Sequence, residues 1–333
     1  MATLNDIART LGIAKSTVSK ALNGAEDVSE ATRRQVLETA VELGYSRRRG
    51  NQPRIAVFIT NMEYEKPTDF GHDILVGFRK MAEPAGFQVD VIPLNYRLSH
   101  TTRYDEFMLQ ENYRGALFLG LSLNHPWIAN DFAGCKTPTV LYDNRVSGNP
   151  NVTYVGTDSQ EGMALTVYYL KELGHRKIGY LSSALGAYVY QQRYLGFFQA
   201  LKKAKLPCGE ELCGASYHME EVLEQHLPRL IEEEGCTAIV CSHDLLAIGA
   251  MERIEAMGLR VPEDISILGF DDIPQCRSTT PTLTTIRQSR TEIGKSAFFA
   301  LSNQMEGVPL STVLIHAELV KRGSCGPASG ERG

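Results

Sequence analysis

Leu4, Ile7, Ala8 and Leu11 recur at intervals of three and four, Gly12 interrupts them, and Val18 and Leu22 resume the same spacing. That period places each set on one face of a short helix. Thr3, with Asp6 three residues on, has the spacing of a capping box with Asp in place of Glu or Gln, and so marks where the first helix starts. A third stripe, Val36, Leu37, Ala40, Val41 and Leu43, is opened by Ser29 with Glu30 in its first turn and is ended by Gly44. Two short helices across a glycine turn, closed by a third, are the layout of an all-α helix-turn-helix head. On its second helix Lys15, Ser16, Thr17, Ser19 and Lys20 are left facing outward, the set that a DNA major groove would meet. A generic helical bundle with a solvated polar face is the competing reading of the spacing alone.

From Arg54 the pattern changes. Apolar runs alternate with helical stretches: IAVFIT, a helix near 72–85, QVDVIPL, a helix near 102–111, GALFLGL and PTVLYD. A second series follows, with a helix over 160–173, KIGYLS, a helix over 190–204, one near 219–234, AIVCS, a helix over 244–257 and SILGFDD. Such alternation predicts two α/β lobes, each a parallel sheet joined by right-handed crossover helices. Ligands of such sheets sit beyond the carboxyl ends of the strands, which for two facing lobes is the cleft between them. Asp143 follows TVLY, Asp271 and Asp272 follow SILGF, and Arg193 opens a helix after a strand. Carboxylates and an arginine so placed are suited to fixing hydroxyl groups by charge-assisted hydrogen bonds, while Tyr217 or Phe70 can cover an apolar ring face. The expected ligand is a sugar or related polyol. Asp158 and Asp244 read as helix caps, His175 as structural, and Asp272 as a cap of the turn after its strand.

Charge sharpens the division. Residues 1–54 hold nine Lys and Arg against six Asp and Glu, a net of +3, whereas the chain of 333 residues carries −5, leaving −8 for the remainder. A basic head on an acidic body suits a polyanion at one end only. The start MATLND lacks a basic-then-apolar leader and no run approaches the ~18 apolar residues of a membrane span, so a cytoplasmic protein is expected. The seven cysteines are scattered without a CxxC pair and read as reduced thiols, and Cys208 with Cys213 lacks a second ligand pair for zinc. Neither a metal nor a cofactor is expected. There is no Walker loop, dinucleotide fingerprint, HExxH or nucleophile elbow, which sets a sugar-modifying enzyme behind a binding protein. A periplasmic solute-binding protein would share the two lobes, but would carry a leader where this chain has its helical head.

The runs DIARTLGIAKSTVSKALNG and VSEATRRQVLETAVELGY, followed by LGHRKIGYLS, RYLGFFQAL, HDLLAIGAM, GLRVPEDISILGFDD and PTLTTIRQ, closely resemble the lactose/galactose repressor (LacI/GalR) family of bacterial transcription regulators. The resemblance spans nearly the whole chain in order. It implies a helix-turn-helix head over 1–45, a basic linker over 46–54, and a periplasmic-binding-protein-like effector and dimerisation region over 55–333, whose chain crosses between lobes near 158, 285 and 316. It also implies a sequence-specific, sugar-responsive regulator, expected to be a repressor, that binds double-stranded DNA as a homodimer on an inverted repeat. By the same resemblance Lys15, Ser16 and Lys20 fall where base edges are touched, and Thr3, Thr17, Ser19 and Asn23 where phosphates are. For both lysines, phosphate contact or plain solvation remains open. Arg193 matches the arginine of the R-x-x-G-F motif, Asp271 the first acid of G-[FY]-D-[DN], and Gln288 the glutamine after L-T-T-I. Asp143, Tyr217 and Phe70 align with a ligand-binding acid and two aromatics. His243 stands where sugar-responsive members often have Asn; it either meets a ligand or bonds backbone at the helix start.

Two departures follow from the same comparison. Ala14 replaces the Ser or Thr that usually caps the recognition helix, a loss of about 1 kcal/mol. After Tyr45 the family has a Pro-Asn step and an Ala-Arg-x-Leu helix whose leucine wedges into the minor groove. Here SRRRGNQPR intervenes, with Gly50 and Pro53 set against a helix. Nine extended residues span roughly 30 Å, enough for a tether. Arg47, Arg48 and Arg49 are expected to neutralise phosphates or, alternatively, to lie in the minor groove. The tail after Lys321 is too short and too rich in Gly and Pro for a heptad helix, which removes the basis for a coiled-coil tetramer.

Overall fold

Thr3 caps the first helix as its spacing requires. The hydroxyl accepts from Asp6 N–H at 3.3 Å and the Asp6 carboxylate accepts from Thr3 N–H at 2.9 Å, so two orphan donors are satisfied at the start of α1 (Leu4–Leu11). α2 (Lys15–Leu22) begins at Ala14, which offers no side-chain cap, and α3 (Glu30–Glu42) begins at Ser29, whose hydroxyl accepts from Thr32 N–H. Ile7, Val18, Leu22, Val36 and Ala40 close the head's core. The structure, a computed structural model, describes residues 2–45, 52–94, 101–122, 124–183 and 187–328.

Beyond the head the chain runs through β1 (Arg54–Ile59), α4 (Phe70–Ala82), β2 (Gln88–Pro93), α5 (Tyr104–Gln110), β3 (Tyr113–Leu119), α6 (Pro126–Asn130), β4 (Thr139–Leu141) and β5 (Val152–Thr157). It continues with α7 (Ser159–Glu172), β6 (Ile178–Ser183), α8 (Tyr188–Ala204), β7 (Cys213–Ser216), α9 (Met219–Glu221), α10 (Leu227–Glu232), β8 (Ala238–Cys241), α11 (Asp244–Ala256), β9 (Ser266–Asp271), β10 (Thr284–Arg287), α12 (Arg290–Met305), β11 (Thr312–Ile315) and β12 (Glu318–Val320). One six-stranded sheet has the order β11-β5-β4-β3-β1-β2 and the other β12-β10-β9-β8-β6-β7. β1 pairs in parallel with β2 and β3, β3 with β4, and β4 with β5. In the second sheet β7, β6, β8, β9 and β10 form a parallel run, and β12 lies antiparallel to β10 at its edge. Ile55 to Ile59 and Ala238 to Cys241 are buried throughout, as strands covered on both faces must be.

The chain divides into two units, Met1–Gly156 with Arg290–Val313, and Thr157–Ser289 with Leu314–Gly333. In the first unit, Phe58, Phe118, Trp127 and Tyr104 centre an aromatic core on one face of the sheet. On the other, α4 and α12 cross very closely: a Cβ on Gly77 would meet Thr291 O at 2.1 Å, and one on Gly294 would meet Ile74 O at 2.0 Å. Only glycine at both positions permits that crossing. In the second unit, Tyr180, Phe197, Phe270 and Ile286 pack beneath α7 and α8, and Ile239, Ile267, Leu246 and Leu227 form the opposite cluster.

Several expected elements differ. The stretch near 219–234 is not one helix, because a π turn over Val222–His226 separates α9 from α10. Pro228 has no N–H for an i→i−4 bond and its ring crowds the preceding turn, so the chain widens just before it. Asp244 is not the cap of its helix; His243 is, accepting from Leu246 N–H through Nδ1, while Asp244 is fully buried. The carboxylate instead accepts from Thr285 Oγ1 at 2.5 Å and Ile273 N–H at 2.9 Å, tying α11 to β10 and to the turn after β9. Asp272 does not cap a turn either, since Arg287 and Arg322 hold it. Asp158 caps α7 as expected, and His175 is structural, bonded to Thr237, Ser266 and the carbonyl of Gly326.

Candidate DNA interface and ligand site

α2 buries Val18, Ala21 and Leu22 against the head's core, and so turns Lys15, Ser16 and Lys20 to solvent, with Thr17 and Ser19 half-buried beside them. Lys20 forms an ion pair with exposed Asp27, whose carboxyl is held below its usual range by that hydrogen bond. To reach a base edge Lys20 must leave Asp27, a small demand between exposed partners. Asn23 ends α2 and donates through Nδ2 to Ser19 Oγ at 3.4 Å, so two residues expected at phosphates already share one small cluster. Thr3 is more committed, its hydroxyl donating to Asp6 Oδ2 at 2.7 Å as part of the cap. Arg47, Arg48 and Arg49 lie outside the described residues.

The carboxyl ends of the second unit's strands gather four of the expected ligand residues. Arg193, on α8 and only 4% exposed, lies over the Phe270 ring at 3.8 Å and donates through Nη1 to the carbonyl of Ser242 at the end of β8. Its Nη2 donates to Asp271 Oδ1 at 3.2 Å, and the same oxygen accepts from Gln288 Nε2 at 2.7 Å. Gln288 is anchored in turn by Thr157, whose hydroxyl donates to Oε1 at 2.9 Å. Burial gives these charge-assisted bonds weight that a surface pair lacks, and their shared acceptor fixes three side chains relative to one another. Asp271 and Asp272 have φ of 123° and 53°, left-handed backbone that costs of order 1–3 kcal/mol and is tolerated where the surroundings dictate it.

His243 borders this group. Burial lowers its pKa, so the ring is neutral near pH 7. Nδ1 accepts from Leu246 N–H, so the proton sits on Nε2 and is donated to Ser183 Oγ at 2.8 Å. Both readings of His243 thus meet in one residue: it bonds backbone at the helix start, and it orients a hydroxyl at the end of β6. Deeper still, burial and the nearby charge of Asp271 push the Asp244 carboxyl up to about 6. Burial opposes ionisation of Asp272 as well, but hydrogen bonds from Arg287 and Arg322 outweigh it and hold that carboxyl below its usual range. Tyr217 stands apart at 78% exposed, just after β7.

In the first unit, Phe70 opens α4, with the Tyr142 ring 6.3 Å away and the Arg290 guanidinium 5.2 Å over its face. Arg290 also reaches Asp73, Nε to Oδ2, at 3.4 Å. Asp143 follows β4 with φ of 22°, and its Oδ2 accepts from Gly120 N–H at 2.7 Å. Sequence reasoning missed Arg290, Ser183 and Thr157. Ser183 ends β6 and Thr157 ends β5, so a strict strand-end rule would have included both. Among the described residues no group of three or more His, Cys, Asp or Glu is placed to hold a metal ion, and no helix is long and apolar enough to cross a membrane.

Comparison with known proteins agrees with this layout. Residues 3–48 match the family described as bacterial regulatory proteins, lacI family, and residues 167–325 match a periplasmic binding protein-like domain. The transcriptional regulator reg1 of Streptomyces lividans is 30% identical, over 99% of this chain and 98% of its own. The transcriptional repressor CytR of Escherichia coli strain K12 is 28% identical, over 97% and 96%. Among solved structures, the lac repressor dimer bound to operator and the anti-inducer ONPF is similar, with a TM-score of 0.65 at 25% identity over 98% of this chain and 99% of that one.

Proposed function

The chain belongs to the lacI family of bacterial regulatory proteins and is a DNA-binding transcription regulator, not an enzyme; on that premise we propose that it is a cytoplasmic, sugar-responsive repressor acting as a homodimer on an inverted-repeat operator. Lys15, Ser16 and Lys20 read base edges from α2, and Thr3, Thr17, Ser19 and Asn23 meet phosphates, the chemistry of ammonium on guanine and hydroxyl on phosphate. Arg47, Arg48 and Arg49 neutralise phosphates. The domain limits proposed are 1–45 for the head, 46–54 for the linker and 55–333 for the effector and dimerisation region.

The observation that carries the ligand class is the Arg193–Asp271–Gln288 group, in which a half-buried carboxylate is held by two buried side chains. It offers a carboxylate acceptor beside fixed guanidinium and amide donors, a set that matches adjacent hydroxyl groups, each a donor and an acceptor. His243 and Ser183 extend it, and Tyr217, Phe70 and Asp143 are further proposed ligand-binding residues. An aromatic face suits the C–H side of a sugar ring. Because effector and operator bind at different sites, each changes the other's affinity by the same factor.

A thermal-shift screen of monosaccharides, disaccharides, nucleosides and free nucleobases tests the ligand class, since a specific binder stabilises the folded chain by mass action. Stabilisation by one sugar, lost in Arg193→Ala, is the expected result. A response to nucleosides or nucleobases with none to sugars would overturn it.

A further inference from the structure

The head does not stand clear of the lobe that carries it. α3 packs along α5 of the first unit, and Leu109 of α5 is buried in the apolar cluster that Val36, Leu37 and Ala40 build inside the head. One lobe side chain therefore completes the head's own core. Beside it a cavity of about 140 Å³ lies between Val41 and Tyr45 on the head's side and Met108, Arg114 and Lys136 on the lobe's. Meanwhile Lys15, Ser16 and Lys20 stay exposed, so the contact uses a face that the proposed DNA-reading surface does not need.

We propose that the α3–α5 seam is a coupling contact that fixes the head directly to the first lobe. The first lobe then carries the recognition helix as an extension of itself, and any displacement of α5 is transmitted to α3 through packed side chains rather than along a tether. A device of this kind needs a contact strong enough to hold and weak enough to shift. Leu109 supplies the apolar hold, and the charges around it limit that hold. Burial raises the Glu106 pKa and Glu38 of α3 adds to the rise, with Asp131 acting in the same sense and Arg103 and Arg34 opposing. Glu106 of α5 and Glu38 of α3 bring like charge to the packed seam, which works against docking. Arg34 sits on Glu38 and Arg103 on Asp131, which moderates the repulsion without removing it. Neutralising Glu106 therefore tightens the seam.

The proposal rests on reading residues 1–45 as the DNA-binding head, but its test uses no DNA, so the two can fail separately. Amide hydrogen exchange would be followed in the full chain for the wild type, Leu109→Ser and Glu106→Gln. The seam predicts that α3 amides exchange about tenfold faster in Leu109→Ser and several-fold slower in Glu106→Gln, while β1 and β3 keep their protection. Should Leu109→Ser strip protection from β1 and β3 as well, the lobe itself has loosened and Glu106→Gln decides alone: slower exchange in α3 upholds the seam, and unchanged exchange overturns it. Equal α3 exchange in all three proteins, with the lobe intact, also overturns it.

Discussion

Arg193 was legible as a single letter in a motif, but its task was not. The guanidinium is engaged with Asp271, the Ser242 carbonyl and the Phe270 ring, so it organises that acid as much as it offers itself. Removing its partner is costly, because a buried charge is then left uncompensated. Asp271→Asn should lower stability by about 3 kcal/mol in urea unfolding; a loss within experimental error would show that the pair carries little weight. Asp244 gives a second test. Its folded pKa of about 6 lies above the ordinary carboxylate value of 3.8, so between those limits the folded chain binds more protons than the unfolded one. Stability from this group is therefore greatest below that window and is lost as pH rises through it. The wild type minus Asp244→Asn difference in unfolding free energy should fall from about pH 4 to pH 6, and a flat difference would remove Asp244 from the titration. The sequence pointed to Asp244 only as a helix cap, because the partners that bury it, Thr285 and Ile273, lie far along the chain.

At the scale of elements, periodicity carried most of the fold. The three head helices and the strands β1, β2, β3, β4, β6, β8 and β9 stand where apolar spacing puts them, since local caps and two-sided burial both leave a local signature, whereas β5, β7, β10, β11 and β12 were not read. α12 was missed although Ile293, Ala297, Phe298 and Leu301 mark its buried face. It returns the chain to the first unit after a long excursion through the second, and nothing in its own letters tells which sheet it covers. The π turn before Pro228 was hidden for another reason, namely that hydropathy does not register hydrogen-bond slippage. Ala14 is the element-level weakness that sequence did reveal. It has φ −67° and ψ 143°, the backbone of a cap without the side chain. Ala14→Ser should stabilise the head by about 1 kcal/mol, seen as slower amide exchange through α2. No change there would mean that the start of α2 is held by other contacts.

The whole molecule joins a DNA-reading head to an effector region, and the two ends were legible to different degrees. That Lys15, Ser16 and Lys20 face solvent could be read directly, because exposure on a short helix follows from its spacing. The Arg193–Asp271–Gln288 group could be pointed to only by strand ends and family resemblance, since its geometry is assembled from α8, β8, β9 and the segment after β10. If Arg47, Arg48 and Arg49 neutralise phosphates, replacing all three by Ala should reduce the slope of log affinity against log salt by as much as about 3. An unchanged slope would remove them from the interface. On the function proposed, ligand binding at Arg193 governs DNA binding by α2. The most direct measurement is fluorescence anisotropy on a duplex that the wild-type chain selects from a random pool, titrated with and without the sugar found in the thermal-shift screen. The sugar should change wild-type affinity by about 5- to 150-fold, while Arg193→Ala should bind the duplex normally and ignore the sugar. Equal responses in both proteins, or a sugar that binds the wild type and leaves its DNA affinity unchanged, would contradict that function.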